Sequence, residues 1–305
     1  MSWFFIALIG PFFYALTNHI DKILLEKYFK ESGVGTLILF SSLLSIIAVP
    51  FLFWADPSVL SVGMTSMLVL IAVGVLNLMV LWCYFMALKD EEASIAIVFY
   101  QLVPVIGAIL GYYILGEALT QLQIIAMAIV ILGTTIISFE IDAENNFKLR
   151  RRTIILMTAA STFWALESVI FKAVALEENL WRSLFWEHVV LIVAGVLIFI
   201  FIRSYRLNFI AAIKNNSRAI LSLNVVNESL YMLGNLALAY AYLLAPIALV
   251  LLTDSFQPIF VIAIGIFLTI FFPKLTAEKI TAKHLFQKLI AIVITGIGAY
   301  LLLIA

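Results

Sequence analysis

The sequence predicts an all-α integral membrane protein with ten transmembrane helices, arranged as two inverted repeats of five. Composition indicates the membrane, because 65% of the 305 residues are hydrophobic and only 12% are charged. Soluble domains have roughly 45–50% apolar and about 25% charged residues. Long apolar runs between short polar stretches indicate helices. A similarity between the two halves of the chain predicts the repeats.

Ten apolar segments are long enough to cross a bilayer, which takes roughly 17–25 residues. The connections at Gly116–Ala118 and Leu244–Ala245 are too short for a soluble domain. We therefore expect one membrane domain with repeats at 1–140 and 153–305, joined by a basic loop at 141–152. The predicted spans are 2–20, 34–54, 65–88, 93–115, 119–139, 153–175, 182–202, 219–243, 246–271 and 285–304.

The distribution of lysine and arginine predicts the orientation in the plasma (inner) membrane. Sixteen of the eighteen lie in loops after odd-numbered spans, and only Lys172 and Arg182 lie on the opposite face. Because cytoplasmic loops carry the excess of positive charge, both termini are predicted to be non-cytoplasmic. The zero net charge gives no reason to expect a nucleic-acid partner.

An internal duplication is visible at three places. Residues 13–22 and 163–172 share five of ten identities at an offset of 150. Since each half has an odd number of spans, the second half enters the membrane from the opposite side. Inverted repeats with a solute site at their interface are a recurrent architecture of secondary transporters. The two further matches pair Ala87 and 101–104 with Ala241 and 255–258, and 129–133 with 292–296.

The segments 84–94, 101–104 and 115–120 resemble the EamA pattern of the drug/metabolite transporter superfamily. The resemblance implies ten spans and the export or exchange of small organic metabolites, such as amino acids or their relatives. Two features depart from it. The second half has Phe271-Phe272-Pro273-Lys274 in place of the Leu-Gly-Glu turn, followed by an extended basic loop. Typical members are also expected to keep their termini in the cytoplasm.

Span 8 carries a polar stripe on an otherwise apolar helix. Asn224, Glu228, Tyr231 and Asn235 are spaced i, i+4, i+7 and i+11, which places them on one face. A charged side chain at mid-membrane costs at least about 2.5–3.5 kcal/mol, so it needs a function or a partner. We predict that this face lines a solute cavity. The alternative is hydrogen bonding between helices.

Spans 4 and 9 contain prolines next to polar residues. Pro104 follows Gln101, and Pro258 follows Asp254 and Gln257. A proline within a helix frees a backbone carbonyl, and broken helices with polar residues are typical of transporter sites. Gln101, Asp254 and Gln257 are therefore predicted to contact solute. The alternative is a structural kink in which Asp254 or Ser255 satisfies the freed carbonyls.

Other candidates lie in spans 1, 3, 6 and 7. Span 6 has Glu167, and Lys172, five residues later, is predicted to reach the membrane interface because that spacing does not favour an ion pair. In span 7, either Glu187 or His188 faces the cavity or both lie near the outer rim. The remaining candidates are Asn18 and Asn77 for solute, and Asp21 and Lys22 for a gate, with a solvated helix end as the alternative reading of that pair.

The candidates of the second half are mostly acidic, whereas those of the first half are amides. Carboxylates removed from water are stabilised by protons or by cations. Our hypothesis is a proton-coupled exporter or exchanger of an amine-like or amino-acid-like metabolite, working as a lipid-embedded monomer without cofactor or metal. The alternatives are a flippase of lipids or lipid-linked precursors, and a channel or assembly factor. An enzyme is not predicted, because no zinc or nucleophile motif is present.

Overall fold

The computed structural model describes residues 2–29, 33–89, 99–138, 151–271 and 282–304. Within these ranges the chain forms helices and no strand. The α-helices are α1 Ser2–Ile23, α2 Val34–Leu44, α3 Ala48–Ala55, α4 Met64–Leu88, α5 Leu102–Leu110, α6 Gln121–Ser138, α7 Arg151–Glu177, α8 Leu180–Phe201, α9 Arg203–Tyr242, α10 Ile247–Thr253, α11 Gln257–Phe271 and α12 Ala282–Ile304.

Six helical segments of the described chain are long and apolar enough to cross a membrane. They are Trp3–Tyr28, Val34–Ala55, Met64–Leu88, Arg151–Glu177, Leu180–Phe201 and Ile247–Phe271. Shorter apolar helices at Phe99–Leu115, Gln121–Gly133 and Ile292–Ile304 fall within predicted spans 4, 5 and 10. The prediction of an all-helical integral membrane protein is confirmed. The predicted start of span 4, at residues 93–98, and most of the basic loop at 141–152 lie outside the described residues.

The segment 203–218 was predicted to be a loop, and this is wrong. It is the first part of α9, a single helix of 40 residues. Phe209 packs on Phe40 of α2 at 4.6 Å between ring centroids, so aromatic residues among the basic ones anchor this part to the first half. Arg206 Nη1 donates to the carbonyl of Ile200 at 2.9 Å. A basic side chain thus satisfies the C-terminal end of α8.

A 3-10 turn lies before the proline at matching places of the two halves. A 3-10 turn at Phe99–Gln101 precedes Pro104, and a 3-10 turn at Asp254–Phe256 precedes Pro258. A 3-10 turn winds the backbone more tightly than an α-helix. It therefore changes which side of the helix each following residue occupies.

Helices α6 and α12 pack closely through small residues. A methyl group added at Gly298 would lie 2.9 Å from the backbone nitrogen of Val130 and 3.1 Å from the carbonyl oxygen of Ala126. Backbone atoms cannot shift as cheaply as the end of a flexible side chain. Gly298 therefore sets how near the two helices can approach, which is a common role of small residues between membrane helices.

We expect Gly298→Ala to lower the free energy of unfolding by about 1–3 kcal/mol, because the added methyl group overpacks this contact. Gly296→Ala is the matched control, since nothing lies within 4 Å of a methyl group there. Thermal unfolding in detergent measures both variants. An equal effect of the two changes would show that the backbone approach at Gly298 does not limit packing.

Candidate functional site

A cavity of about 100 Å³ lies among helices of both halves, chiefly α1, α4, α7, α8 and α9. Four carboxyl groups line it, together with five amides and a wall of aromatic rings. The carboxyl groups are those of Asp21, Glu167, Glu187 and Glu228, and each of these residues is at most 9% exposed. The amides are Asn18, Asn77, Asn227, Asn235 and Gln257.

The first acidic cluster joins α4 of the first half to three helices of the second. Asn77 Nδ2 lies 3.3 Å from Glu167 Oε1 and 3.4 Å from Glu187 Oε1. The same nitrogen lies 3.2 Å from the hydroxyl oxygen of Tyr231, and Asn235 Nδ2 lies 3.4 Å from Glu187 Oε1. One amide from the first half is thus shared between two carboxyl groups of the second.

The second acidic cluster lies towards the C-terminal end of α1. Asn227 Nδ2 donates to Asp21 Oδ1 at 2.7 Å. On the neighbouring turn of α1, Asn18 accepts from Gln257 Nε2 and donates to the Tyr84 hydroxyl, both at 2.6 Å. These bonds connect α1 with α4, α9 and α11.

Aromatic rings form part of the cavity wall. Tyr14 stacks on Tyr231 with 5.5 Å between ring centroids and an interplanar angle of 24°. Trp164 meets Tyr14 at 6.1 Å and Tyr100 at 4.7 Å, both edge to face. The cavity therefore combines acidic groups with π faces, an arrangement that suits a cation.

A buried ion pair lies near the C-terminal end of α7. Lys172 Nζ contacts Glu117 Oε1 and donates to the carbonyl of Ala245 at 2.7 Å. Glu117 Oε2 also accepts from the backbone nitrogen of Ile247 at 2.6 Å. Lys172 was predicted to reach the membrane interface; the structure buries its side chain against a distant turn, a partner that the spacing within span 6 could not indicate. The pair ties the turn at Glu117 to α7 and to the start of α10.

A second lysine lies near the C-terminal end of α1. Lys22 Nζ donates to the carbonyl of Leu88, at the end of α4, at 3.2 Å. It pairs with Glu26 at the same distance. Lys22 does not line the cavity, whereas its neighbour Asp21 does. Of the predicted gate pair, therefore, only Asp21 lines the cavity.

Outside the membrane helices, two turns bind each other. Asp56 accepts from the backbone nitrogen of Ser58 at 2.9 Å and from Asn179 Nδ2 at 3.0 Å. Hydrogen bonds from Ser58 and Asn179 lower the pKa of Asp56. Hydrogen bonds from Ser66 and Gly63 lower the pKa of Glu178. The stability that the hydrogen bonds to Asp56 and Glu178 contribute is therefore present above the ordinary carboxyl pKa. It is lost as the pH falls through the lowered pKa values of these two groups.

Sequence comparison agrees with this architecture. The model of the EamA-like transporter family matches residues 1–139. Residues 1–139 belong to the EamA-like transporter family. The resemblance predicted from the motifs is confirmed, and it identifies a membrane transporter of the drug/metabolite type. No curated protein matches the chain at a significant level.

A solved structure described as "Crystal structure of protein" shares the fold of nearly the whole chain. It superposes with a TM-score of 0.62, at 15% sequence identity, over 97% of each chain. At this identity the likeness concerns the fold alone.

Most of the predicted site residues line the cavity. They are Asn18, Asn77, Glu167, Glu228, Tyr231, Asn235 and Gln257. Three do not line it, although each is buried. Asn224 donates to the carbonyl of Ile220 in its own helix at 2.7 Å. Gln101 and Asp254 lie in the 3-10 turns behind the cavity wall.

Asp254 has an unusual environment. It is 1% exposed, and its carboxyl oxygens have no hydrogen-bond partner among the described residues. It lies close enough to Tyr14, Tyr100 and Tyr242 to interact with them electrostatically. All three tyrosines line the cavity. Asp254 therefore interacts with rings that line the cavity but does not line it itself.

Sequence reasoning missed several lining residues. Asn227 was not among the predicted site residues, since it lies beside the polar stripe of span 8, and the choice between Glu187 and His188 was left open. The structure lines the cavity with Asn227 and Glu187, whereas His188 is buried outside it. Tyr14 and Trp164 gave one usable signal, because they occupy equivalent positions of the repeat at an offset of 150.

Proposed function

We propose that this chain is a secondary transporter that moves a small amine-like or amino-acid-like metabolite by alternating access between two inverted halves, with protons as the coupling ion. The observation that carries the proposal is that repeat-equivalent residues of the two halves meet around one cavity. The halves are residues 1–140 and 153–305, joined by 141–152.

Helices α1 and α7 contribute equivalent positions to the cavity wall. Each pair is separated by 150 residues, which is the offset of the sequence repeat. Such agreement is expected if the halves are copies of one five-helix unit, and it has no simple explanation otherwise. The pairs are Tyr14 and Trp164, Thr17 and Glu167, Asn18 and Ser168, and Asp21 and Phe171.

Equivalent residues also touch each other. Asn77 and Tyr231 differ by 154 residues, the offset of the second match, and their polar atoms are 3.2 Å apart. Tyr14 and Trp164 are in ring contact. A residue meets its own counterpart only near an axis that relates the two copies. These contacts therefore support a pseudo-two-fold axis through the cavity, as inverted repeats require.

The contacts near the C-terminal ends of α1 and α7 support the proposal that the two halves cross the membrane in opposite directions. Near its end, α1 contacts α9 at Asn227, whereas α7 contacts α9 through Ser168 and Tyr242. Fifteen helical residues separate those two positions, which is about 22 Å along α9. Lys22 and Lys172, themselves repeat equivalents, then bind carbonyls at opposite ends of the cavity. Contacts that break alternately at the two ends would give alternating access.

The lining supports cation or proton coupling. Four carboxyl groups face the cavity, and the described lining residues contain no lysine, arginine or histidine. Unpaired carboxylates away from water are costly, so these groups favour a bound proton or a cationic solute. A proton released as solute binds, and taken up again as it leaves, would couple the two fluxes.

Flux through proteoliposomes tests the proposal. Vesicles are loaded with small amines and neutral amino acids, and exchange of the labelled compounds is followed with and without a pH gradient. Protein-free vesicles measure passive amine uptake. We expect gradient-driven exchange by the parent, and a loss of about tenfold in Glu167→Gln and Glu228→Gln. Glu177→Gln, on the exposed end of α7, is the control. If both cavity variants transport as well as the parent, the proposal is wrong.

Two further proposals concern assembly and orientation. We propose a monomer, because one chain supplies all sides of the cavity. We also propose non-cytoplasmic termini, from the lysine and arginine distribution alone. The family match does not support the alternative of a lipid flippase.

A further inference from the structure

We propose that Glu167, Glu187 and Asn77 form a subsite for the ammonium group of the solute, and that the solute is a net-cationic amine without a free carboxylate. This inference rests on the proposed transport function and names the substrate class of the same cavity. It goes beyond the amine-like or amino-acid-like metabolite proposed above, because it separates amines from zwitterions.

The acceptors of the subsite converge from both halves. The Asn77 amide nitrogen faces the two carboxyl groups, which fixes the orientation of the amide because carboxylates accept hydrogen bonds. Asn77 Oδ1 is therefore turned away from them, and it has no hydrogen-bond partner within the described part of the chain. Asn77 is 4% exposed and lines the cavity. An unsatisfied buried acceptor costs about 1–3 kcal/mol, so the site favours a ligand that donates.

A primary ammonium group matches this set of acceptors. It carries three N–H donors and a positive charge, and the subsite offers two carboxyl groups and the free amide oxygen. The titratable groups that face the two glutamates are Tyr14 of α1 and Tyr231 and Tyr242 of α9. Tyrosine is neutral near pH 7, so none of these rings supplies a cation that would compete with the ligand.

The described cavity lining has no cationic counterpart for a carboxylate. Its side-chain amides each already donate one of their two N–H groups, since Asn235 donates to Glu187 and Asn227 donates to Asp21. Asn18 and Gln257 donate to Tyr84 and Asn18, respectively. The two lysines nearest the ends are held outside the lining by Glu117 and Glu26. A zwitterion would therefore place its carboxylate beside four acidic groups without a compensating cation.

Size and aromatic walls limit the rest of the solute. The cavity of about 100 Å³ has room for roughly seven to ten waters. Rings of Tyr14, Trp164 and Tyr231 lie beside the acidic cluster, where their faces stabilise a cation further. A small amine with a short apolar or aromatic body fits these limits.

Binding to the purified full-length chain tests the subsite with three probes: phenylethylamine, phenylalaninamide and phenylalanine. The last two have nearly the same shape and differ in that a neutral amide replaces the carboxylate. We expect titration calorimetry to show that both cations bind, and that phenylalanine binds at least about tenfold more weakly than phenylalaninamide. Glu187→Gln and Glu167→Gln should each weaken phenylalaninamide binding about tenfold, whereas Glu177→Gln should not.

Each other outcome overturns the inference. Equal binding of phenylalanine and phenylalaninamide excludes discrimination against a carboxylate. Binding of no probe, or binding unaffected by both glutamine variants, excludes the subsite. Counterflow separates these failures from failure of the transport proposal. If phenylalanine exchanges and Glu167→Gln abolishes the exchange, the transport proposal is correct and the proposed class of substrate, a net-cationic amine, is wrong. If phenylalaninamide binds through Glu187 but no solute exchanges, the transport proposal fails while the subsite stands.

Discussion

Glu117→Gln is expected to lower the free energy of unfolding by about 3 kcal/mol, because it removes one partner of a buried ion pair. The Lys172 side chain is 5% exposed, whereas that of Glu117 is 20% exposed. The lysine left behind is therefore less well hydrated than the glutamate would be. We accordingly expect Lys172→Met to destabilise the protein less than Glu117→Gln. Thermal unfolding in detergent measures both.

The double variant is the control. Glutamine keeps an oxygen that can accept from the Ile247 nitrogen, so Glu117→Gln isolates the loss of charge. When Lys172→Met is added, no unpaired charge remains, and much of the lost stability should return. Additive losses in the double variant would contradict the assignment of these two residues as a coupled pair.

The same pair closes one end of the cavity in our account. It ties the turn at Glu117 to α7 and α10, and Tyr242 bonds to Ser168 one turn deeper. The pair must therefore break when the cavity opens at that end. Lys22, the repeat equivalent of Lys172, binds the C-terminal end of α4 at the other end of the cavity.

Much of the fold could be predicted because lipid imposes one rule on every span. Each backbone polar group must be satisfied within the helix, so long apolar runs have to be helical. The helix at 203–218 was not predicted by this rule, because the segment is basic and amphipathic. Its helical state depends on contacts such as Phe209 with Phe40, which hydropathy does not indicate.

The polar stripe of span 8 predicts which face of the helix is turned towards the cavity, but not how far along the helix the cavity extends. Glu228, Tyr231 and Asn235 lie on that face at the level of the cavity. Asn224 shares the face but lies a turn nearer the N-terminus of α9, and its amide bonds to Ile220. Only the positions of the neighbouring helices decide where along the stripe the cavity ends.

Gln101 and Asp254 show a second limit on what the sequence can predict about the site. Both lie in 3-10 turns, where the rotation per residue differs from that of an α-helix. Helical spacing therefore cannot place their side chains. A 3-10 turn does precede each proline, and Gln257, beyond the second turn, lines the cavity. Glu117 and Lys172 show a third limit, since a contact between distant turns leaves no periodic signal.

Water access at the middle of α4 is the second large effect that we expect. Leu81 lines the cavity, whereas Met79 is 40% exposed on the outer surface of the helix bundle. Positions 79 and 81 are two residues apart in α4, so their depths in the membrane differ by only about 3 Å. The two positions therefore differ mainly in the face of the helix that they occupy. A thiol reacts with charged thiosulfonates only where water allows the thiolate to form. The native Cys83 is buried and is replaced by serine in the test.

The central claim is that one wet cavity between the two halves opens in turn to each side of the membrane. Labelling of Leu81→Cys and Met79→Cys by a membrane-impermeant cationic thiosulfonate, added to either side of oriented proteoliposomes, tests it most directly. We predict that Leu81→Cys reacts from both sides, about tenfold faster than Met79→Cys, and that Glu117→Gln speeds the reaction from one side only. Equal rates at the two positions, or access to Leu81→Cys from a single side under all conditions, would contradict the account.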